Sequence, residues 1–243
     1  MKTALVTGGS RGIGLGIATR LAELGYGLTI SARNEGTLEA SAKSLVAAGA
    51  PDVATVAVDL ADRDAADTIV DAHKSRFGSM NALVLNAGVG TAGSIADYPM
   101  RRFDKTLDVN FRAPFQILQT SMPLLRQVAQ EDRERGAKVV ALASLAGVYS
   151  EAGLAVYGAT KAAMLSLVDT LNAEESGNGI TGTAIAPGYV DTDMSDWTKD
   201  KIPAESMIRV GDIVELATSV LNLSSRAVVP RIVVTRAGAG LGA

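Results

Sequence analysis

Short apolar runs recur along the whole chain, and longer amphipathic stretches separate them. The runs are "TALVT" at 3–7, "GLTIS" at 27–31, "VATVAV" at 53–58, "ALVLN" at 82–86, "KVVALA" at 138–143, "TGTAIA" at 181–186 and "RIVVT" at 231–235. Most are apolar at successive positions and β-branched, the pattern of strands covered on both faces. Helical spacing appears near 13–25, 35–48, 62–77, 101–128, 156–175 and 211–223. The alternation predicts an α/β fold: a doubly wound parallel sheet of about seven strands with helices on both faces. No linker or repeat interrupts it, so residues 1–243 are expected to form one domain. Two stretches break the rhythm. "QEDRERG" at 130–136 suits a solvated helix end. The segment 189–210 is a long connection after a strand, either a substrate lid or a plain surface loop.

Composition narrows the picture. The chain is 47% hydrophobic but only 4% aromatic, so the core must be built from Ala, Val, Leu and Ile. Its formal net charge is −3 and no basic stripe stands out, which argues against a nucleic-acid partner. It has no cysteine, which excludes disulfides and thiolate metal sites. The lone histidine, His73, lies in a polar helical stretch and is expected on the surface, with no metal bound. No apolar run approaches the roughly 18 residues of a membrane span. The N-terminus enters a strand at once, so no signal peptide is expected and a soluble cytoplasmic protein is the default.

The first strand runs straight into "TGGSRGIG". Gly8, Gly12 and Gly14 stand where a strand turns into a helix. Glycine lets the chain turn sharply and lets backbone approach a phosphate, and the helix N-terminus offers free N–H groups to a diphosphate. A tight turn with no ligand is the plain alternative. The end of the second strand distinguishes the dinucleotides. A carboxylate there would hold the ribose 2′-OH of NAD. The sequence instead has "SARN", with Arg33 at that place, and a guanidinium suits a 2′-phosphate. Arg11, inside the loop, could add a second positive charge. NADP(H) is therefore expected over NAD(H), unless Arg33 is merely exposed.

Tyr157 and Lys161 are four apart and would share one face of a helix. An ammonium beside a phenol should favour the phenolate, lowering a pKa that starts near ~10. Tyrosine could then serve as general acid or base. Ser144, thirteen residues before Tyr157, ends a strand and could hydrogen-bond a reacting oxygen. No histidine accompanies it, which argues against a Ser-His-Asp hydrolase.

These motifs, in this order, resemble the short-chain dehydrogenase/reductase (SDR) family of the classical type, with a single Rossmann-type domain, and are similar to its 3-oxoacyl-carrier-protein reductases. The resemblance covers nearly the whole chain. It implies cofactor contacts from Gly8, Ser10, Arg11, Gly12, Ile13, Gly14 and Arg33. It adds Asp59 and Leu60 at the adenine, and Asn86, Ala87 and Gly88 beside the cofactor. Pro187, Gly188, Val190 and Thr192 would hold the nicotinamide. Ser144, Tyr157, Lys161 and Asn110 would be catalytic, with Asn110 supporting a water in the proton relay. Plainer roles stand beside these: Asp59 could cap a helix beginning near Asp62, Asn86-Ala87-Gly88 and Pro187-Gly188 could be turns, and Asn110 could be a polar break in a helix.

The resemblance implies an oxidoreductase that moves a hydride between NADPH and a ketone or aldehyde. An epimerase or dehydratase on the same scaffold, or a non-catalytic NADP(H) sensor, stays open. An enoyl reductase fits less well, because those enzymes space tyrosine and lysine more widely. The family is commonly a homo-oligomer, dimer or tetramer, formed through the helices here at 101–128 and 156–175. The C-terminus departs from its relatives: many end on "VDGG", whereas this chain has Pro230 and "RIVVTRAGAGLGA". Leu85 also replaces a common asparagine. By resemblance the substrate end includes Leu145, Ala146, Val148, Gly153, Leu154, Tyr189 and the 194–208 segment. These are mostly apolar and uncharged, so the expected substrate is a hydrophobic or modestly polar carbonyl compound.

Overall fold

The seven apolar runs become seven parallel strands of one sheet. A computed structural model describes residues 1–90 and 92–239. The strands are β1 (Thr3–Thr7), β2 (Gly27–Ala32), β3 (Val53–Ala57), β4 (Ala82–Leu85), β5 (Ala137–Leu142), β6 (Ile180–Pro187) and β7 (Arg231–Val234). Their order is β3-β2-β1-β4-β5-β6-β7. Register is set in the middle of the sheet, where Val6 lies beside Ile30 on one side and Val84 on the other. The helices are α1 (Gly12–Glu23), α2 (Glu35–Ala47), α3 (Ala65–Phe77), α4 (Met100–Leu107), α5 (Ala113–Glu131), α6 (Ala155–Glu175) and α7 (Val210–Leu221). Among the described residues, no helix is long and apolar enough to cross a membrane.

Successive strand residues point to opposite faces, and the core divides accordingly. Leu5, Leu83, Leu85 and Val139 pack with α3, α5 and α6. Ala4, Val6, Val84 and Val140 pack with α1, α2 and α7. Each fully buried Leu or Ile contributes about 1.5–3 kcal/mol, so two such layers hold the central strands without aromatic bulk. Strand order reverses between β1 and β4, and in open α/β sheets the ligand crevice opens at the strand C-termini at that switch point.

Three expectations change. The stretch 101–128 is not one helix: a π turn over Asp108–Arg112 separates α4 from α5. Such turns recur at functional sites, and Asn110 lies in this one. Asp59 does not cap a helix, because α3 starts at Ala65 with Asp64 at its N-cap. Asp59 Oδ1 instead accepts the Ala61 N–H at 3.0 Å. His73 is fully buried. It continues the stripe Ala66, Ile69, Val70 on the inner face of α3, a helical spacing that outranks its polar neighbours in sequence. Its Nε2 donates to the Ser79 carbonyl at 2.9 Å, since that oxygen can only accept. Nδ1 therefore accepts from the Thr29 hydroxyl at 2.8 Å. Burial pushes the imidazole down to about 4. Among the described residues, no group of three or more His, Asp or Glu side chains is placed to hold a metal ion.

Candidate active site

The glycine loop is stitched to the end of β4. The Thr7 hydroxyl accepts the N–H groups of Asn86 and Ala87 at 3.0 and 3.1 Å. Asn86 Nδ2 returns bonds to the carbonyls of Thr7 and Gly8 at 3.0 and 3.1 Å. Gly8 sits at φ 65°, a region that disfavours a side chain. A Cβ on Gly14 would stand 2.2 Å from the Gly8 carbonyl oxygen and 2.3 Å from Asn86 Nδ2. Gly14 thus lets α1 pack against the loop and is not on the cleft surface. The N-cap of α1 is Arg11, which makes no side-chain cap, and no acid stands in the first turn. That end of the helix keeps its orphan N–H groups and positive dipole free for an anion.

Arg33 is exposed just beyond β2, and Asn34 caps α2 by accepting the Thr37 N–H at 2.9 Å. Arg11 is already engaged: its Nη1 lies 2.9 Å from Asp193 Oδ2 in the 189–210 segment. Among the described residues Arg33 forms no ion pair at the mouth of the loop, whereas Arg11 shares one with Asp193 across two exposed side chains. The Asp59 carboxyl is held below its ordinary range, first by the Ala61 N–H and then by the charges of Lys105 and Arg33. Lys105, 3.5 Å from Asp59, was not foreseen as a neighbour.

Ser144 follows β5 and caps the short turn Leu145–Gly147, its Oγ accepting the Ala146 N–H at 3.2 Å. Tyr157 and Lys161 share a face of α6, with Lys161 Nζ 5.7 Å from the Tyr157 ring centre. The expected lowering of the phenol does not occur. Burial raises the Tyr157 pKa, the Ser144 hydrogen bond opposes this, and the Glu151 charge adds to it. Lys161 is itself buried, which pushes its amine down to about 8, and Nζ donates to the Leu142 carbonyl at 2.7 Å. Burial disfavours the charged form of each group. Asn110 is buried behind them. Its amide bonds Val89 on both N–H and C=O, at 2.8 and 3.0 Å, and reaches Thr160 Oγ1 at 3.3 Å.

One cleft of about 1400 Å³ joins these parts. It is lined by the loop at Gly8, Ser10, Arg11, Gly12 and Ile13, and by Arg33, Asp59 and Leu60. Asn86–Gly88, Ser144, Tyr157, Lys161, Pro187, Gly188, Val190 and Thr192 complete that set. Of the expected catalytic and cofactor residues, only Gly14 and Asn110 do not line it. At the substrate end Leu145, Ala146, Leu154, Tyr189, Met194 and Trp197 line the cleft, whereas Val148 and Gly153 do not. Val148 packs on the core instead. The wall is also less neutral than expected, because Glu151 and Arg236 join it. The Tyr189 hydroxyl donates to Glu151 Oε1 at 2.8 Å, and Trp197 meets the Tyr189 ring edge-on at 6.1 Å. The 189–210 segment is pinned at its base by a parallel bridge between Val190 and Ile208.

This arrangement has known counterparts. The profile of the short chain dehydrogenase family matches residues 2–202. The chain belongs to that family. This short-chain dehydrogenase is 32% identical over 230 residues to the 3-oxoacyl-[acyl-carrier-protein] reductase FabG of Staphylococcus aureus, covering 92% of this chain and 91% of that protein. Among solved structures it resembles a short chain dehydrogenase from Burkholderia cenocepacia in complex with NADP. That match has 32% identity, a TM-score of 0.85, and coverage of 100% of this chain and 98% of the other. It also resembles a 3-oxoacyl-[acyl-carrier protein] reductase from Brucella melitensis in complex with NAD, at 27% identity and TM-score 0.86, covering 96% and 94%. The short-chain dehydrogenase described here is thus a nicotinamide-dependent oxidoreductase.

Proposed function

We propose that the protein is an NADP(H)-dependent carbonyl reductase acting on a ketone or aldehyde, with Tyr157 as the proton donor and acceptor. The observation that carries this reading is the convergence of Ser144, Tyr157 and Lys161 in the cleft that also holds the glycine loop and Arg33. The uncapped first turn of α1 and the side-chain-free approach at Gly8 and Gly12 suit a diphosphate. Arg33 would take the 2′-phosphate, and Asp59 and Leu60 would flank the adenine. Asn86, Ala87, Gly88, Pro187, Gly188, Val190 and Thr192 would hold the nicotinamide half. A bound nicotinamide supplies the hydride for reduction and accepts it in the reverse direction. Relatives are known with NAD and with NADP, so Arg33 is the feature of this chain that favours NADP(H).

Tyr157 passes its hydroxyl proton to the carbonyl oxygen, and Ser144 donates a hydrogen bond to the same oxygen. A phenol raised by burial stays protonated at neutral pH, which suits donation and therefore reduction. Alcohol oxidation needs the phenolate and should rise with pH. Lys161, buried beside the ring, would carry the proton onward. Exposed apolar side chains on α4 and α5, Leu107 and Phe115, suit a homo-oligomer contact.

Tyr157→Phe tests the assignment. Turnover in an NADPH-oxidation screen over ketones, aldehydes and β-keto thioesters should fall by about 10²–10⁴-fold, while NADPH titration still saturates. Unchanged turnover would remove Tyr157 from the chemistry.

A further inference from the structure

The dinucleotide and proton-transfer residues leave one wall of the cleft without a role. It is formed by Thr235, Arg236 and Ala239 beside Tyr189. The Val234 carbonyl at the end of β7 accepts the Gly188 N–H at 2.8 Å, so the chain beyond it starts against the Pro187–Gly188 corner. It then turns at once. The Ala239 N–H closes on the Arg236 carbonyl at 3.3 Å, with Gly238 at φ 76° in the third position of the turn. Glycine takes that conformation without strain. The backbone of Arg236 is thereby fixed at the edge of the cleft.

The side chain of Arg236 is partly buried, and its Nε is wholly so with no hydrogen-bond partner among the described residues. Arg20 also has a buried, unpartnered Nε, but its Nη1 is committed to Glu23 at 2.8 Å. Arg236 forms no such pair with any described acid. Glu151 lines the same cleft, yet its Oε1 is taken by the Tyr189 hydroxyl. Tyr157, Tyr189 and Arg236 all line this one cleft, so the guanidinium and the proton donor open onto the same space. A planar, always charged fork of donors matches a carboxylate in two-point fashion.

We propose that Arg236 sets substrate specificity by binding the carboxylate of an oxo acid whose carbonyl is presented to Tyr157. This rests on the carbonyl-reductase reading and deepens it. Leu145, Leu154, Met194 and Trp197 would cover the apolar body of the substrate. The substrate class is therefore an oxo acid with an apolar chain and one carboxylate, rather than the neutral carbonyl compound suggested by the apolar residues alone.

Two readouts test it. Trp197 is the sole tryptophan and lines the cleft, so its fluorescence reports binding without turnover. Wild type, Arg236→Ala and Arg236→Lys would be titrated with unbranched oxo acids and their methyl esters, and then assayed with NADPH on the same compounds. In wild type each acid that fits should exceed its ester by at least about tenfold in affinity and in kcat/KM, a difference of about 1.4 kcal/mol. Arg236→Ala should collapse that ratio to within about twofold, through KM for the acid, and Arg236→Lys should restore part of it. Equal affinities for acid and ester in wild type would overturn the proposal, as would an acid-to-ester ratio that survives Arg236→Ala. Should Arg236→Ala not fold, the wild-type and Arg236→Lys ratios decide. Tighter binding of acids without turnover of any compound would refute the reductase and support the carboxylate site. Turnover indifferent to the carboxylate would do the reverse.

Discussion

The two ends of the cleft are built differently. At the cofactor end, backbone touches backbone: the Gly8 carbonyl faces Gly14, and Thr7 gathers the N–H groups of Asn86 and Ala87. At the other end, side chains from separate segments meet: Glu151 and Leu154 before α6, Tyr189 and Trp197 after β6, and Arg236 after β7. Several there are exposed, Met194 at 47% and Trp197 at 60%. Close backbone approach admits few residues, whereas an exposed wall admits many. One end can therefore be shared across a family while the other sets what each member binds.

The sharpest test sets one position at each end side by side. Gly14→Ala should cost about 3 kcal/mol or more, because the new methyl overlaps a carbonyl that is itself bonded to Asn86. Met194→Ala at the other end should stay within about 0.5 kcal/mol. Urea unfolding of the two variants measures both, and similar losses would erase the distinction.

A second test concerns the scaffold under the cofactor end. His73 ties α3 to β2 through Thr29, and its folded pKa is about 4. The unfolded value is about 6.5, so between the two the unfolded chain binds more protons. The stability linked to neutral His73 is complete above about pH 6.5 and is lost as pH falls towards about 4, by up to about 3 kcal/mol. His73→Gln should flatten that part of the pH–stability curve; an unchanged slope would show that His73 does not titrate as described.

The smallest effect is expected at Arg33. Arg33→Ala should weaken NADPH by about tenfold and NADH by less than about twofold, read by direct titration. Equal weakening would mean that Arg33 is not at the 2′-phosphate.

Legibility in the sequence follows the same division. The strands are readable because burial on both faces demands unbroken β-branched runs, and all seven lie within a residue or two of their expected limits. The glycine loop and the Tyr157–Lys161 pair are readable because local spacing carries them. Asn110 is legible as a polar break in a helix, and the structure puts a π turn around it; the type of turn is not legible, since it changes the helix phase without a distinctive residue. The pairing of Arg11 with Asp193 is not legible, because Asp193 is remote in sequence. Arg236 and Glu151 were missed for the same reason: only the sheet order brings the end of β7 beside β6. The unusual tail was noticed, yet nothing in it specified what its arginine would face. His73 is legible through periodicity, since its spacing from Ile69 and Val70 marks the inner face of α3, while its polar neighbours point the other way.

The bridge between Val190 and Ile208 has a practical consequence. The Ile208 N–H bonds the Tyr189 carbonyl, and the Asp191 N–H bonds the Ile208 carbonyl, both at 2.9 Å. The two ends of residues 191–207 are thus clamped about one strand spacing apart, near 4.8 Å. Whatever lies between them leaves and re-enters the scaffold at the same gate. Beyond Thr192 the stretch hangs from that single gate, so a change in its length need not re-thread a single strand.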